Sequence, residues 1–330
     1  MSFPPSEIKI RMIHGNDLSP DLIEAWSRIQ LSEPSLDNPF FCPEFTQAVA
    51  AAGEDVRVAI FEADGEIAGF FPFQLLSTKV GIPVGSLICD FQGMIARNDL
   101  VWDPHQILKG CGLSAWRFDH LLASQKPFLS FHCVHADSPF MDLTGGYQSY
   151  RDRQRGAGSD TLVQAERKRR KAEREIGPIR FVANSTDRQL FQTLVDWKQH
   201  QIQQRRVPFV GSSNRFQEIR ERILYQNRET FGGMLSAVYI GDRLAAIHFG
   251  MRSKCVLHVW VPAFDESFHK YSPGMIMWME LAKTCERMGI QRMDLGKGMV
   301  DYKKRLMSGT TDLAEGVVDA RPISRLLWRS

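Results

Sequence analysis

No run in this sequence approaches the roughly 18 consecutive apolar residues that a membrane-spanning helix requires, so helical insertion is not expected. Its opening, MSFPPSEIKIRM, has no apolar stretch of the secretory kind, and a cytoplasmic protein is expected. Six cysteines (Cys42, Cys89, Cys111, Cys133, Cys255, Cys285) are scattered without CxxC or another short ligand spacing. That pattern speaks against a structural metal and against a disulfide framework, and for reduced, mostly buried thiols. Charge of one sign is also lacking: 41 basic and 38 acidic residues leave a formal +3. A general nucleic-acid binder is therefore not expected. Walker loops, dinucleotide fingerprints and Ser-His-Asp arrangements are absent as well.

What is present is an ordinary globular composition, 43% hydrophobic and 24% charged over 330 residues, a length that leans toward two domains. Ile8, Ile10 and Met12 alternate with Lys9 and Arg11 as in a strand. Leu22, Ala25, Trp26 and Ile29 follow Ser19-Pro20 at helical spacing, and a second helix is expected from Asn38-Pro39 to Ala52. Val56 to Ala63, the turn Asp64-Gly65 and Glu66 to Leu75 read as a hairpin. Leu235 to Ile240, Gly241-Asp242 and Arg243 to Met251 repeat the unit. At a constant offset Ala68 falls on Ala245, Gly69 on Ala246 and Phe71 on His248, which raises the expectation of a shared architecture. Between the two, Tyr150 to Asp160 reads as a linker, and a domain boundary is set near residue 155.

Past that boundary the pattern gives a basic helix (Asp160 to Ile176), a strand (Ile179 to Ala183) and a helix (Asp187 to Gln203). A loop (Val207 to Asn214), a helix (Phe216 to Asn227) and the second hairpin follow. A strand (Val256 to Val261), a helix (Gly274 to Met288) and a strand (Arg292 to Leu295) complete the series. Antiparallel hairpins among alternating helices point to a mixed α/β sheet rather than a doubly wound parallel one. The basic helix carries Arg167, Lys168, Arg169, Arg170, Lys171 and Arg174. It could bind phosphate, a polyanionic sugar or RNA, or it is a solvated face with helical pairs such as Glu166–Arg170.

The chemistry-bearing segment is Trp260-Val-Pro-Ala-Phe-Asp, then Lys270-Tyr-Ser-Pro-Gly-Met, then Asp294-Leu-Gly-Lys-Gly and Asp301-Tyr-Lys-Lys. Ser272-Pro273-Gly274 opens a helix, where free N–H groups and the helix dipole suit a phosphate, with Lys270 near enough to add charge. The same three residues also suit a helix start with no ligand. His248, on an apolar strand, is either a packed core residue or a general base with a pKa near 6.5. Asp294, Tyr302 and Lys303 stand at or beyond a strand end, where α/β sites gather, and Lys303 could hold an anionic substrate or a developing oxyanion. His258 and Asp265 are lesser candidates.

From Leu235 to Lys304 the sequence resembles GNAT-superfamily acetyltransferases associated with bacterial cellulose and exopolysaccharide synthesis. The likeness rests on Ala245 to Gly250, on Tyr271-Ser-Pro-Gly and on Asp294-Leu-Gly-Lys-Gly with Tyr302-Lys303. Gly85 to Gly93 adds a first-half match, with Phe91 where that family has tyrosine. The resemblance implies two tandem GNAT-like domains, an N-terminal one over 1–155 and a C-terminal acyltransferase over 156–330. It implies acetyl-CoA or another acyl-CoA as co-substrate, held by Val261, Lys270, Tyr271, Ser272, Pro273, Gly274 and Met275, with no metal. An amine of an amino sugar or exopolysaccharide precursor would attack the thioester directly, and Tyr302 would protonate the leaving thiolate. The loop itself departs from the usual glycine-rich pyrophosphate pattern, since His269-Lys-Tyr-Ser-Pro-Gly has one glycine. The family is related to Fem-type transferases, so aminoacyl transfer from charged tRNA is the alternative, as is a non-catalytic GNAT pair acting as a binding subunit. The partners expected are a small-molecule or saccharide acceptor, with a homodimer left open and nucleic acid only as that tRNA.

Overall fold

A computed structural model describes residues 8–205 and 213–320, with the backbone alone at 204 and 205. The chain divides into two compact units, residues 1–137 with 311–330, and residues 138–310. The boundary expected near residue 155 falls instead at 137/138, and the end of the chain returns to the first unit.

In the first unit the strands β1 (Lys9–His14), β2 (Val56–Ala63), β3 (Glu66–Ser77) and β4 (Val80–Ile82) lie side by side, with the short β5 (Ile95–Ala96) paired to β3. They are followed by β6 (Ala115–Leu122) and by β13 (Gly309–Asp319) from the far end of the sequence. Neighbours run antiparallel except β4 and β6. Helices α1 (Pro20–Ser32), α2 (Pro43–Ala51) and α3 (Pro104–Gly110) complete the unit. Each has proline in its first turn, where the missing N–H costs nothing. The core is aromatic: Phe61, Phe71, Phe73, Trp116 and Phe118 are buried together, with Phe71 edge-on to Trp116 at 5.0 Å.

The second unit repeats the plan. Its order is β8 (Ile179–Val182), β9 (Phe231–Ile240), β10 (Arg243–Ser253), β11 (Val256–Phe264), β12 (Arg292–Asp294), then residues 138–142 of β7 (His132–Asp142). Again every neighbour is antiparallel except one pair, β11 and β12. The hairpins that the sequence aligned are β2–β3 and β9–β10. Asp64 and Gly65 have φ of 54° and 81°, both left-handed, as a two-residue hairpin turn that follows strand twist requires.

Helices of this unit are α4 (Gly146–Gly156), α5 (Thr161–Glu175), α6 (Arg188–Arg205), α7 (Asn214–Leu224), α8 (Pro273–Arg287) and α9 (Asp301–Leu306). The expected linker from Tyr150 is therefore mostly helix. The polar composition of α4 hid two anchors, Tyr147 and Tyr150, which are buried, and the Tyr150 hydroxyl donates to Leu306 O at 2.6 Å. Residues 207–212 of the expected loop lie outside the described residues, and α7 begins at Asn214, capped by Ser213. α8 lies across β9 to β12, while α6 packs on β10 and β11. Among the described residues no helix is long and apolar enough to cross a membrane.

Candidate functional site

β11 runs beside β10 from Leu257 to Phe264, with a register shift at Phe249/Gly250. On its other edge it pairs with β12 for three residues only, ending at His258–Asp294. There the strands part: Leu295 N donates to Pro139 O, and Gly296 and Gly298, both at positive φ, turn the chain away. Among the described residues no strand pairs with that edge of β11 beyond His258.

The chain leaves β11 through Asp265, whose carboxylate accepts from Ser267 N at 2.8 Å and caps a 3-10 turn, Glu266–Tyr271. Ser272 then takes a left-handed conformation (φ 53°, ψ 60°), and Pro273 opens α8. The N–H groups of Met275 and Ile276 both return to Ser272 O, and Pro273 has none, which leaves the Gly274 N–H outside those bonds. Gly274 is not at positive φ, and a Cβ built on it meets nothing within 4 Å. Neither backbone nor packing asks for glycine here.

Between β10, β11 and the start of α8 lies a cavity of about 320 Å³. Pro262, Phe264, Met275, Met277 and Trp278 give it apolar walls, and Ala246 leaves room on β10. Tyr302, on the first turn of α9, stands at its rim. The ring stacks on Trp278 (6.2 Å between centroids, 15° between planes), and burial pushes its phenol pKa up to about 12. The hydroxyl therefore keeps its proton at neutral pH, as a proton donor must. A second, more polar hollow of about 630 Å³ shares Ser272, Met275 and Tyr302 with the first. It reaches to Lys168 on α5 and to Asp301 and Arg305 on α9.

Of the residues the sequence nominated, Ser272, Pro273, Gly274, Met275 and Tyr302 come together on the cavity wall. The others do not. His248 is fully buried under Trp278, ring edge to face at 5.5 Å, and neither ring nitrogen has a partner. Burial first, and His258 second, lower its pKa to about 3. A ring so placed is held neutral and away from the cavity. The Asp294 carboxylate is buried against Arg292, at 3.0 Å. Lys303 is spent on carbonyls, donating to Gly296 O at 2.7 Å and Lys297 O at 2.9 Å, so it pins the loop after β12 rather than reaching a substrate. Val261 is buried beside Pro262 without lining the cavity.

Lys270 and Tyr271 point elsewhere for a specific reason. Glu175, at the end of α5, accepts from the Tyr271 hydroxyl at 2.7 Å and from Lys270 at 3.1 Å. Those two bonds, the tyrosine's first, hold the Glu175 carboxyl below the usual carboxylate range. The cation that does approach the turn is Lys168, which donates to Ser272 Oγ at 2.7 Å. In the sequence the α5 basic run is uniform, and no local signal separates Lys168 from its neighbours. Structure does: Arg169 pairs with Glu166 and Glu173, and Lys171 with Glu175, so the expected Glu166–Arg170 pair is replaced by Glu166–Arg169. The described residues contain no group of His, Cys, Asp and Glu that could hold a metal.

Comparison with known proteins bears on the fold. Residues 159–304 match the family model of an acetyltransferase (GNAT) domain. No curated protein matches the sequence. Among solved structures, FemX is similar over 97% of this chain and 99% of its own, at TM-score 0.61 and 9% identity. The C-terminal domain of a putative lysylphosphatidylglycerol synthetase from Agrobacterium fabrum is similar over 93% of both chains, at 0.57 and 12%. A tandem GNAT protein from the clavulanic acid biosynthesis pathway is similar over 96% of this chain and 99% of its own, at 0.54 and 9%. At such identities these likenesses speak for the fold. The chain has the mixed α/β fold that tandem GNAT proteins share, and its residues 159–304 match a GNAT acetyltransferase domain.

Proposed function

We propose that the second unit transfers an acyl group from acyl-CoA to an amine, by direct attack on the thioester. GNAT domains draw their acyl group from acyl-CoA, and the observation that carries the reading is the parting of β11 from β12 beside an apolar cavity with Tyr302 at its rim. The open edge of β11 offers backbone donors and acceptors to an extended, amide-bearing arm, much as one more strand would. The start of α8 offers the Gly274 N–H and the positive end of a 15-residue helix to phosphate. The space a Cβ would fill at Gly274 is then room for the ligand.

In this reading the residues position and polarise rather than form a covalent intermediate. Tyr302 donates its proton to the departing thiolate, and its phenolate is restored by the proton that the attacking amine sheds. Trp278 fixes the tyrosine ring, and His248 packs beneath Trp278 without handling protons. The acceptor is an amine of an amino sugar or exopolysaccharide precursor, a class that rests on resemblance. Aminoacyl transfer from tRNA is the second reading. It is favoured by Arg167, Arg170 and Arg174 on α5, which are exposed and have no ion-pair partner among the described residues.

Calorimetric titration with acetyl-CoA, longer acyl-CoAs and aminoacyl-tRNA separates the readings. Saturable micromolar binding of an acyl-CoA supports the proposal. Binding of aminoacyl-tRNA alone transfers the function to the second reading, and binding of none leaves a non-catalytic pair.

A further inference from the structure

The hollow beside the cavity is not explained by the acyl end of the cofactor. It is bounded by Gly158 to Thr161, Gln164 and Lys168 from the start of α5, by Ser272 and Met275, and by Asp301, Tyr302 and Arg305 of α9. Two cations from different helices face it, together with two carboxylates, Asp160 and Asp301. Asp160 is partly satisfied by Gln164. Such a mixed lining does not suit a bare anion. It suits a ligand that brings phosphates and hydroxyl or amino donors together, as a nucleotide does.

The backbone at the start of α8 is also short of donors. A glycine-rich loop presents several N–H groups to a pyrophosphate. Here Pro273 has none, and Met275 and Ile276 are committed to Ser272 O. Whatever holds the phosphates must come mainly from side chains. Lys270, next to the turn in sequence, is held by Glu175. Lys168 is already at the spot, 2.7 Å from Ser272 Oγ and lining the hollow.

We infer that this hollow takes the phosphorylated nucleotide end of the acyl-CoA, with Lys168 and Arg305 supplying the charge that the one-glycine turn does not, and with Asp301 facing the sugar or base. The inference rests on the acyl-CoA reading and adds to it the part of the basic helix that serves it. Lys168 exchanges the Ser272 hydroxyl for a phosphate oxygen when the cofactor enters. The Glu175 bonds to Lys270 and Tyr271 hold the turn in place meanwhile.

The test compares acetyl-CoA with S-acetylpantetheine, which has the thioester and amides but no phosphate, on the full chain and its variants. Lys168→Gln keeps a hydrogen bond to Ser272 and removes the charge, so it separates anion binding from bracing. Lys168→Gln and Arg305→Gln are each expected to weaken acetyl-CoA binding on the order of ten- to a hundredfold, the loss of one charge-assisted bond. S-acetylpantetheine should bind wild type and both variants alike. Equal weakening of both ligands would make Lys168 a brace of the turn and overturn the inference, as would acetyl-CoA binding that neither variant changes. In either case the acyl-CoA reading stands. If wild type binds neither ligand, that reading fails and the inference falls with it.

Discussion

The two units are built on one strand plan, and a difference that bears on the site lies beside the one parallel pair of each. In the first, β4 and β6 are parallel over two residue pairs, Val80–Ala115 and Gly81–Trp116, and the chain then returns to fill the gap. Gln92 N donates to His120 O and Leu122 N donates to Gln92 O, both at 2.9 Å, so Gln92 takes up the β6 side of that gap. Its side chain is bonded throughout, to Asp119 Oδ1 (2.6 Å), Cys89 O (3.2 Å) and the N–H groups of Asp119 and His120 (3.0 and 2.9 Å). In the second unit the matching gap between β11 and β12 stays open beside the cavity. Charge divides the same way. The first unit has 12 Lys and Arg against 20 Asp and Glu, or −8, and the second 29 against 18, or +11. A near-neutral whole thus contains one acidic unit that is plugged and one basic unit that is open, and only the second suits a polyanionic cofactor.

The sharpest way to break this comparison is at the rim of the open gap. Tyr302→Phe keeps the stack on Trp278 and removes the proton donor. A fall in kcat of about a hundredfold or more is expected, with KM for acyl-CoA little changed. Steady-state kinetics with a saturating acceptor decide it, and an unaltered kcat removes Tyr302 from the chemistry.

In the plugged unit the same kind of change should act on stability instead. Gln92→Ala removes all four bonds of a buried side chain, three to β6 and one to Cys89 O, and should cost about 3 kcal/mol in chemical unfolding. kcat/KM measured below the transition should stay as in wild type. A variant that lost activity without losing stability would give the first unit a catalytic part.

Gly274→Ala has opposed effects on fold and ligand. Since nothing occupies the place of its Cβ, Tm should hold or rise slightly, a helical glycine costing about 0.5–1 kcal/mol relative to alanine. Acyl-CoA affinity should fall several-fold. Unchanged affinity would mean that the space at Gly274 is not ligand space.

A further effect is on the pH dependence of stability. The unfolded chain protonates His248 near pH 6.5, and the folded chain only near pH 3. Stability from this group is therefore complete above pH 6.5 and falls as the pH drops toward 3, by at most about 1.4 kcal/mol per unit. His248→Leu should flatten that acid limb in Tm measured between pH 7 and pH 4.5, and leave kcat near wild type at neutral pH. A parallel acid limb in the variant would refute the account of the buried ring.

Sequence disclosed what is local. Asp64-Gly65 and Gly241-Asp242 marked both hairpins, and their constant offset raised the expectation of a shared architecture. Tyr302 and the Ser272–Gly274 turn were legible because a helix start and a strand end carry their own signatures. The rest depended on distance in space. α4 was hidden because two buried tyrosines among arginines and glutamines make no visible period. The return of β13 to the first sheet and the approach of Lys168 to Ser272, 104 positions away, have no local trace at all. His248 misled for a related reason. Its type suggested proton transfer, and only its place beneath Trp278 shows a neutral packed ring.

The central claim is that one unit is open to acyl-CoA and the other is closed by its own chain. Calorimetric titration of the full chain with acetyl-CoA tests it most directly. The account predicts one site per chain, lost when Ala246→Phe fills the cavity wall of the second unit while Tm is maintained. Two sites per chain, or one that survives Ala246→Phe, would contradict it.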